Sequence, residues 1–144
     1  MNTSEGFDQA IEANHAALDR IARGDPDGFF ELYSDAEDAT LANPFGPPAQ
    51  GRREIEEAGR RAASNYREGR SVRFESFAKV ATADFGYTVE IEHFEAKVGE
   101  SDEITPVALR VTCIFRPENG VWRLVHRHAD PITALRPAES VIQA

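Results

Sequence analysis

The sequence predicts an α+β domain in which a strongly bent antiparallel sheet wraps around three N-terminal helices. Three observations predict it. Apolar residues recur at helical spacing through the first half of the chain. From Ser71 onward the period changes to two. The breaks between the resulting strands are short, so consecutive strands join as antiparallel hairpins.

Phe7, Ile11, Leu18, Ile21 and Ala22 form the apolar stripe of a first helix. Thr3 or Ser4 can cap its start, and Gly24 stands where a left-handed C-terminal cap belongs. Asp25 and Pro26 then restart a helix as N-cap and first helical residue. Phe29, Phe30, Leu32 and Tyr33 supply its apolar content. After a polar break at residues 35–38, residues 39–42 read as a short strand ending at Asn43 and Pro44. Gly46, Pro47 and Pro48 force a loop. Residues 52–66 read as a third helix with Ile55, Ala58, Ala62 and Tyr66 on its inner side.

Val72, Phe74, Ser76, Ala78 and Val80 alternate with polar neighbours in a first long strand. Residues 85–98, 104–116 and 121–130 follow as three more. Strands of about twelve residues exceed the usual length and bend or twist strongly. A bent sheet must cover one face, and the three helices are there to cover it. Residues 1–131 therefore read as one domain. The tail, residues 132–144, has weak periodicity and is loosely attached or used in a subunit contact.

Bulk properties narrow the function. A chain of 144 residues is one domain's worth and needs no disulfide or metal to fold. No apolar run is long enough to span a membrane, and residues 1–7 lack the pattern of a secretory signal. The single Cys113 cannot form an internal disulfide, which fits a reducing cytoplasm. A net charge of −9 repels phosphate backbones and argues against nucleic-acid binding. Arg52, Arg53, Arg60 and Arg61 are interleaved with Glu54, Glu56 and Glu57, which reads as a salt-bridged helix face.

The run Arg110-Val111-Thr112, then Phe115-Arg116, then Gly120 through His128 resembles the C-terminal signature of SnoaL-like domains, of the nuclear-transport-factor-2-like superfamily. Gly24-Asp25-Pro26-Asp27, Leu32-Tyr33, Asp38-Ala39-Thr40 and Gly51-Arg52-Arg53-Glu54-Ile55 resemble the family's opening. The resemblance covers residues 7–131. It implies a cone-shaped fold with an internal pocket for a small-molecule ligand. It also implies either cofactor-free isomerase, cyclase, dehydratase or hydrolase chemistry, or a non-catalytic oligomerisation module like a kinase association domain. A homodimer is the expected assembly. Fold alone does not choose among these. In the resemblance to ketosteroid isomerases, the catalytic aspartate falls on Asn43, the oxyanion-hole tyrosine near Ala17 and the protonated acid near Thr112. An amide at Asn43 has no useful basicity, so that mechanism is not expected.

Candidate site residues follow from strand alternation. Trp122, Leu124, His126, His128 and Asp130 share one face, and the two apolar members point it inward. His126 and His128 are then candidate acid–base residues, or hydrogen-bonded structural histidines. His126-x-His128-x-Asp130 also resembles a metallo-β-lactamase ligand run, but Pro131 breaks it, and no metal is expected. Arg110 shares a face with Thr112, opposite the apolar set Leu109, Val111, Cys113 and Phe115. Arg110 is either a pocket residue recognising a carboxylate or a rim salt bridge. Asn43, Phe45 and Tyr33 fall near the expected pocket mouth, with Trp122 and Thr112 as further lining. His15 lies on the stripe of the first helix, facing the pocket or at the stripe's edge. The expected ligand is polar or anionic, a carboxylate or an aromatic polyketide-like molecule.

Overall fold

The computed structural model of the protein describes residues 3–143. Helix α1 runs Thr3–Ile21, and α2 runs Asp27–Leu32. Thr3 and Ser4 lie inside α1 rather than before it, so the cap of its first turn falls outside the described residues. Gly24 adopts the left-handed conformation expected of it, at φ 88°, and Gly24 N–H closes on Ile21 O at 2.8 Å. Pro26, expected as the first helical residue, stands instead at the N-cap of α2, and Asp25 Oδ1 just before it accepts the N–H of Asp27 at 3.0 Å.

Strands β1 (Thr40–Ala42) and β2 (Ala49–Gln50) flank the proline loop, and α3 (Gly51–Ala63) follows. Four long strands complete the chain: β3 (Tyr66–Ala81), β4 (Gly86–Val98), β5 (Ile104–Glu118) and β6 (Val121–Asp130). They form one sheet in the order β2-β1-β6-β5-β4-β3. The hairpin ladder from β3 to β6 is antiparallel throughout, whereas β1 joins β6 in parallel. The helices lie on the inner face, and Phe7, Phe29, Phe30, Tyr33, Ile55, Val111, Phe115 and Leu124 form the core between the layers.

Two expectations change at Tyr66. It opens β3 instead of closing α3, whose buried residues are Ile55, Ala58, Gly59 and Ala63. The strand also begins earlier than the expected Ser71, because Glu68 and Gly69 interrupt the alternation of residues 66–70 and hide its start. These residues belong to a strand with an irregularity between Arg67 and Arg70, where Glu68 takes φ 55°. Gly69 N–H bonds to Ala22 O at 3.0 Å, which ties the end of α1 to the sheet edge.

Beyond β6 the tail runs exposed, with a single 3-10 turn at Ala138–Val141. Among the described residues, no helix is long and apolar enough to cross a membrane.

Candidate functional site

The inner wall of the sheet is set by one extra residue in β6. Ile114 pairs with His126, but the next residue, Phe115, pairs with Leu124, so Val125 is a bulge. Side chains alternate with a strict period of two, so one added residue reverses the facing of everything beyond it. Trp122 and Leu124 point inward as expected. Past Val125 the buried positions become Arg127 and Ala129.

The expectation that His126, His128 and Asp130 look inward is therefore corrected: the bulge turns them to the outer face. There His126 Nδ1 lies 2.8 Å from Thr40 Oγ1, and His128 Nε2 lies 3.1 Å from Asp130 Oδ2. Burial, then the neighbouring His128, holds the His126 imidazole below its ordinary pKa. Arg110 is also outside the cavity. It is exposed and grips Asp130 through two bonds, of 3.0 and 2.7 Å. Of its two readings, the rim salt bridge is the one observed. Burial opposes ionisation of Asp130, and the bonds from Arg110, the Ile132 N–H and His128 outweigh it, so its carboxyl lies below the usual range. Thr112 pairs with His128 on this same outer face.

Inside the cone, a cavity of about 50 Å³ lies between α1, α3, the loop after β1 and the inner face of the sheet. That is room for a few water molecules. Phe29, Phe45, Tyr66, Phe74 and Phe94 supply aromatic wall, and Leu18, Leu41 and Leu109 supply aliphatic wall. Asn43 and Phe45 line it, as expected. The Asn43 amide is already engaged: Nδ2 donates to Ala58 O at 3.3 Å, and Oδ1 accepts the Phe45 N–H at 2.9 Å. Phe45 is 42% exposed and sits edge-on to Tyr66, with ring centroids 5.9 Å apart. These two rings form the cavity's rim.

Tyr33 and Trp122 do not line the cavity. Tyr33 is 2% exposed and donates its hydroxyl to Thr40 O. Trp122 packs on Phe7 at 5.3 Å under the start of α1. Both are core residues here.

The cavity's charge comes from Glu92 and from Arg127, which unbroken alternation would have placed opposite the inward face. Glu92 of β4 and Arg127 of β6 both line it and both are buried. Arg127 Nη1 and Nη2 donate to the two carboxylate oxygens at 2.7 and 2.8 Å. Burial opposes the Arg127 charge, yet Glu92 more than offsets it, and the guanidinium is held even more firmly protonated than usual. Its carbon also lies 6.0 Å from the centre of the Phe29 ring. Next to it Cys113 is fully buried, and that burial pushes the thiol up to about 12.

Tyr66 adds a phenol, which burial pushes up to about 12. Its ring meets Phe94 edge-on at 5.2 Å, and its hydroxyl has no hydrogen-bond partner among the described residues. One residue pair lies just beyond the cavity. His15 Nε2 of α1 sits 3.0 and 2.9 Å from the two carboxylate oxygens of Glu90 on β4. Of the two positions open to His15, the structure shows it turned to the sheet, with a quarter of its side chain exposed.

Glu90 and Glu92 are the acids that a buried Arg110 would need as partners, but Glu92 pairs with Arg127 and Glu90 with His15. Their alternation with apolar Val89 and Ile91 does not by itself fix which face looks inward. The signal lay in the partner strand: Glu90 and Glu92 pair with Val111 and Leu109, and directly paired residues share a face. Among the described residues no group of three or more His, Cys, Asp or Glu side chains is placed to hold a metal ion.

The sequence profile of the SnoaL-like domain matches residues 10–133. No curated protein matches the chain. Among solved structures, a nuclear transport factor 2-like superfamily protein from Salmonella enterica serovar Typhimurium superposes with a TM-score of 0.77 at 18% identity, over 96% of this chain and 99% of that one. A ketosteroid isomerase-like protein from Erwinia carotovora atroseptica gives 0.76 at 20% identity, over 93% and 100%. A proposed dehydratase of the NTF2-like family from Streptomyces avermitilis gives 0.69 at 20%, over 90% and 96%. At these identities the likeness shows a shared fold.

Proposed function

The chain belongs to the SnoaL-like domain family, and from that premise we propose that its interior cavity binds a compact, mainly aromatic molecule carrying one hydrogen-bonding group. The observation that carries this reading is the cavity wall. Five aromatic residues surround a single ion pair, Arg127 with Glu92, whose charges answer each other. A free carboxylate would have to compete with Glu92 for a guanidinium already held by two charge-assisted bonds. A neutral ring system need not displace that ion pair on entry, and it buries apolar area. This favours the aromatic over the carboxylate form of the expected ligand. It also removes Arg110, 20 residues before Asp130 and bonded to it, from the recognition of that ligand.

The polar handles are the free Tyr66 hydroxyl, which donates or accepts, and the rim of the Glu92–Arg127 pair. The cavity is far smaller than the roughly 300 Å³ at which ligand pockets begin, so the ligand enters by displacing the Phe45 rim. Cofactor-free acid–base chemistry of the isomerase, cyclase or dehydratase kind is the activity this arrangement supports; the proposed dehydratase from Streptomyces avermitilis shares the fold. Assembly as a homodimer is part of the same proposal. Val72, Phe77, Val80 and Tyr87 leave apolar surface exposed on β3 and β4, which a second copy would cover, and size-exclusion chromatography tests it.

A thermal-shift screen tests the ligand class. Compact neutral aromatics at about a hundred times their Kd raise stability by about 2.7 kcal/mol. A screen in which only carboxylates or only cations shift the transition sinks the reading.

A further inference from the structure

We propose that His15 and Glu90 form a proton-accepting subsite for a hydroxyl group on the ligand, at a second end of the cavity behind the Phe74 ring. The inference rests on the proposed aromatic ligand and names the group that ligand carries.

Both oxygens of the Glu90 carboxylate lie within hydrogen-bond distance of His15 Nε2. A carboxylate only accepts, so Nε2 carries the proton and Nδ1 is left with its lone pair. Nδ1 has no partner among the described residues, while Glu90 itself is 5% exposed. A buried carboxylate that holds Nε2–H fixes the tautomer and the orientation of the imidazole, so Nδ1 is presented as an acceptor. The pair is thus set to take a proton, and a purely structural ion pair would not need a bare nitrogen.

Its position links it to the cavity. Leu18, one turn along α1 from His15, lines the cavity, and so does Glu92, two residues along β4 from Glu90. Between pair and cavity stands Phe74, whose ring lies parallel to the imidazole with centroids 3.7 Å apart at 4°. Phe74 also lines the cavity, is half-buried, and belongs to β3, which pairs with β4 alone at the sheet's free edge. The ladder is irregular on both sides of it, between Ser71 and Arg73 and between Ser76 and Ala78. A ligand that turns Phe74 aside reaches the edge of the His15 imidazole, where the Nδ1 lone pair lies in the ring plane. The hydroxyl on the ligand's ring then gives its proton to Nδ1: the O–H bond breaks, its electron pair stays on oxygen as phenolate, and the imidazole becomes imidazolium beside Glu90.

The probe is 4-nitrophenol, whose phenolate absorbs visibly, with 4-nitroanisole as its counterpart lacking the hydroxyl. The expected result is that bound 4-nitrophenol shows more phenolate than free 4-nitrophenol in the same buffer. His15→Gln abolishes that excess and weakens 4-nitrophenol about tenfold, the worth of one charge-assisted bond. The same substitution leaves 4-nitroanisole unchanged. Glu90→Gln lowers the phenolate excess while circular dichroism confirms folding. Equal binding and equal spectra in wild type and His15→Gln overturn the subsite while leaving the aromatic cavity standing. Failure of both probes to bind overturns the cavity reading and the subsite together.

Discussion

Arg127 and Glu92 face each other across the inner sheet through two hydrogen bonds of 2.7 and 2.8 Å, with both side chains under a tenth exposed. Taking two charges out of water is costly, and only their mutual attraction offsets the cost. The pair therefore behaves as a unit. Glu92→Gln leaves a buried guanidinium without its counter-charge and destabilises the fold by about 3–5 kcal/mol. Glu92→Leu with Arg127→Met, which removes both charges and keeps volume, recovers most of that loss. Urea unfolding of the single and double variants measures it. Two single losses that simply add would show that the residues are not coupled.

That pair also marks where the sequence was legible and where it was not. The three helices, the Gly24 cap, the hairpin ladder and the span Val121–Asp130 all follow from local chemistry that a sequence displays. The facing of β6 does not. Its alternation reads as unbroken, and the bulge at Val125 is created by the pairing of β5 with β6, a relation between strands that no local pattern encodes. The errors on β6 follow from that one residue. His126 and His128 move out, Arg127 moves in, and Glu92 becomes its partner. Tyr66 reads as the end of α3 for a similar reason, since the irregularity at Glu68 and Gly69 conceals the start of β3.

His128 lies on the outer face, exposed and bonded to Asp130. His128→Ala is expected to change stability by less than about 0.5 kcal/mol, as surface substitutions do. It leaves ligand affinity in the cavity unchanged within about twofold. A calorimetric titration with an aromatic ligand from the screen checks it. A large loss of affinity would return His128 to the site.

Phe45 shields the cavity while half its own surface meets water. Phe45→Ala removes only part of a buried side chain, so it costs about 1 kcal/mol, well short of the 3–5 kcal/mol of a core phenylalanine. It widens the entrance and speeds ligand association in stopped-flow measurements. An unchanged association rate would place the entrance elsewhere.

Gly69 holds the junction between α1 and β3. A Cβ there would lie 2.6 Å from Ala22 O and 2.6 Å from the Ala96 side chain, and the first of these is backbone. Backbone cannot swing aside as a flexible side chain can. Gly69→Ala is expected to destabilise by about 3 kcal/mol or more, at or beyond the top of the usual range for overpacked sites, because backbone must move. Gly99→Ala, at φ 62° in open space, costs only the left-handed strain of about 1–2 kcal/mol. Thermal unfolding of the two variants compares them, and an equal cost would mean the junction is looser than its geometry.

Alkaline pH should unfold this protein through its buried phenols. Burial pushes Tyr66 up to about 12 and Tyr33 higher still, from an ordinary value of 10.0. A raised native pKa means the unfolded chain releases the proton first. The contribution of each phenol is whole below about pH 10 and is lost as pH rises toward about 12, where Tyr66 can ionise in place. Tyr66→Phe has no proton to release in either state, so its stability falls less steeply across that window. Urea midpoints at about pH 9 and about pH 11 give the slopes. Parallel slopes for the variant and the parent chain would mean that the Tyr66 phenol meets water freely, and the donor assigned to the cavity wall would have to be sought in another residue.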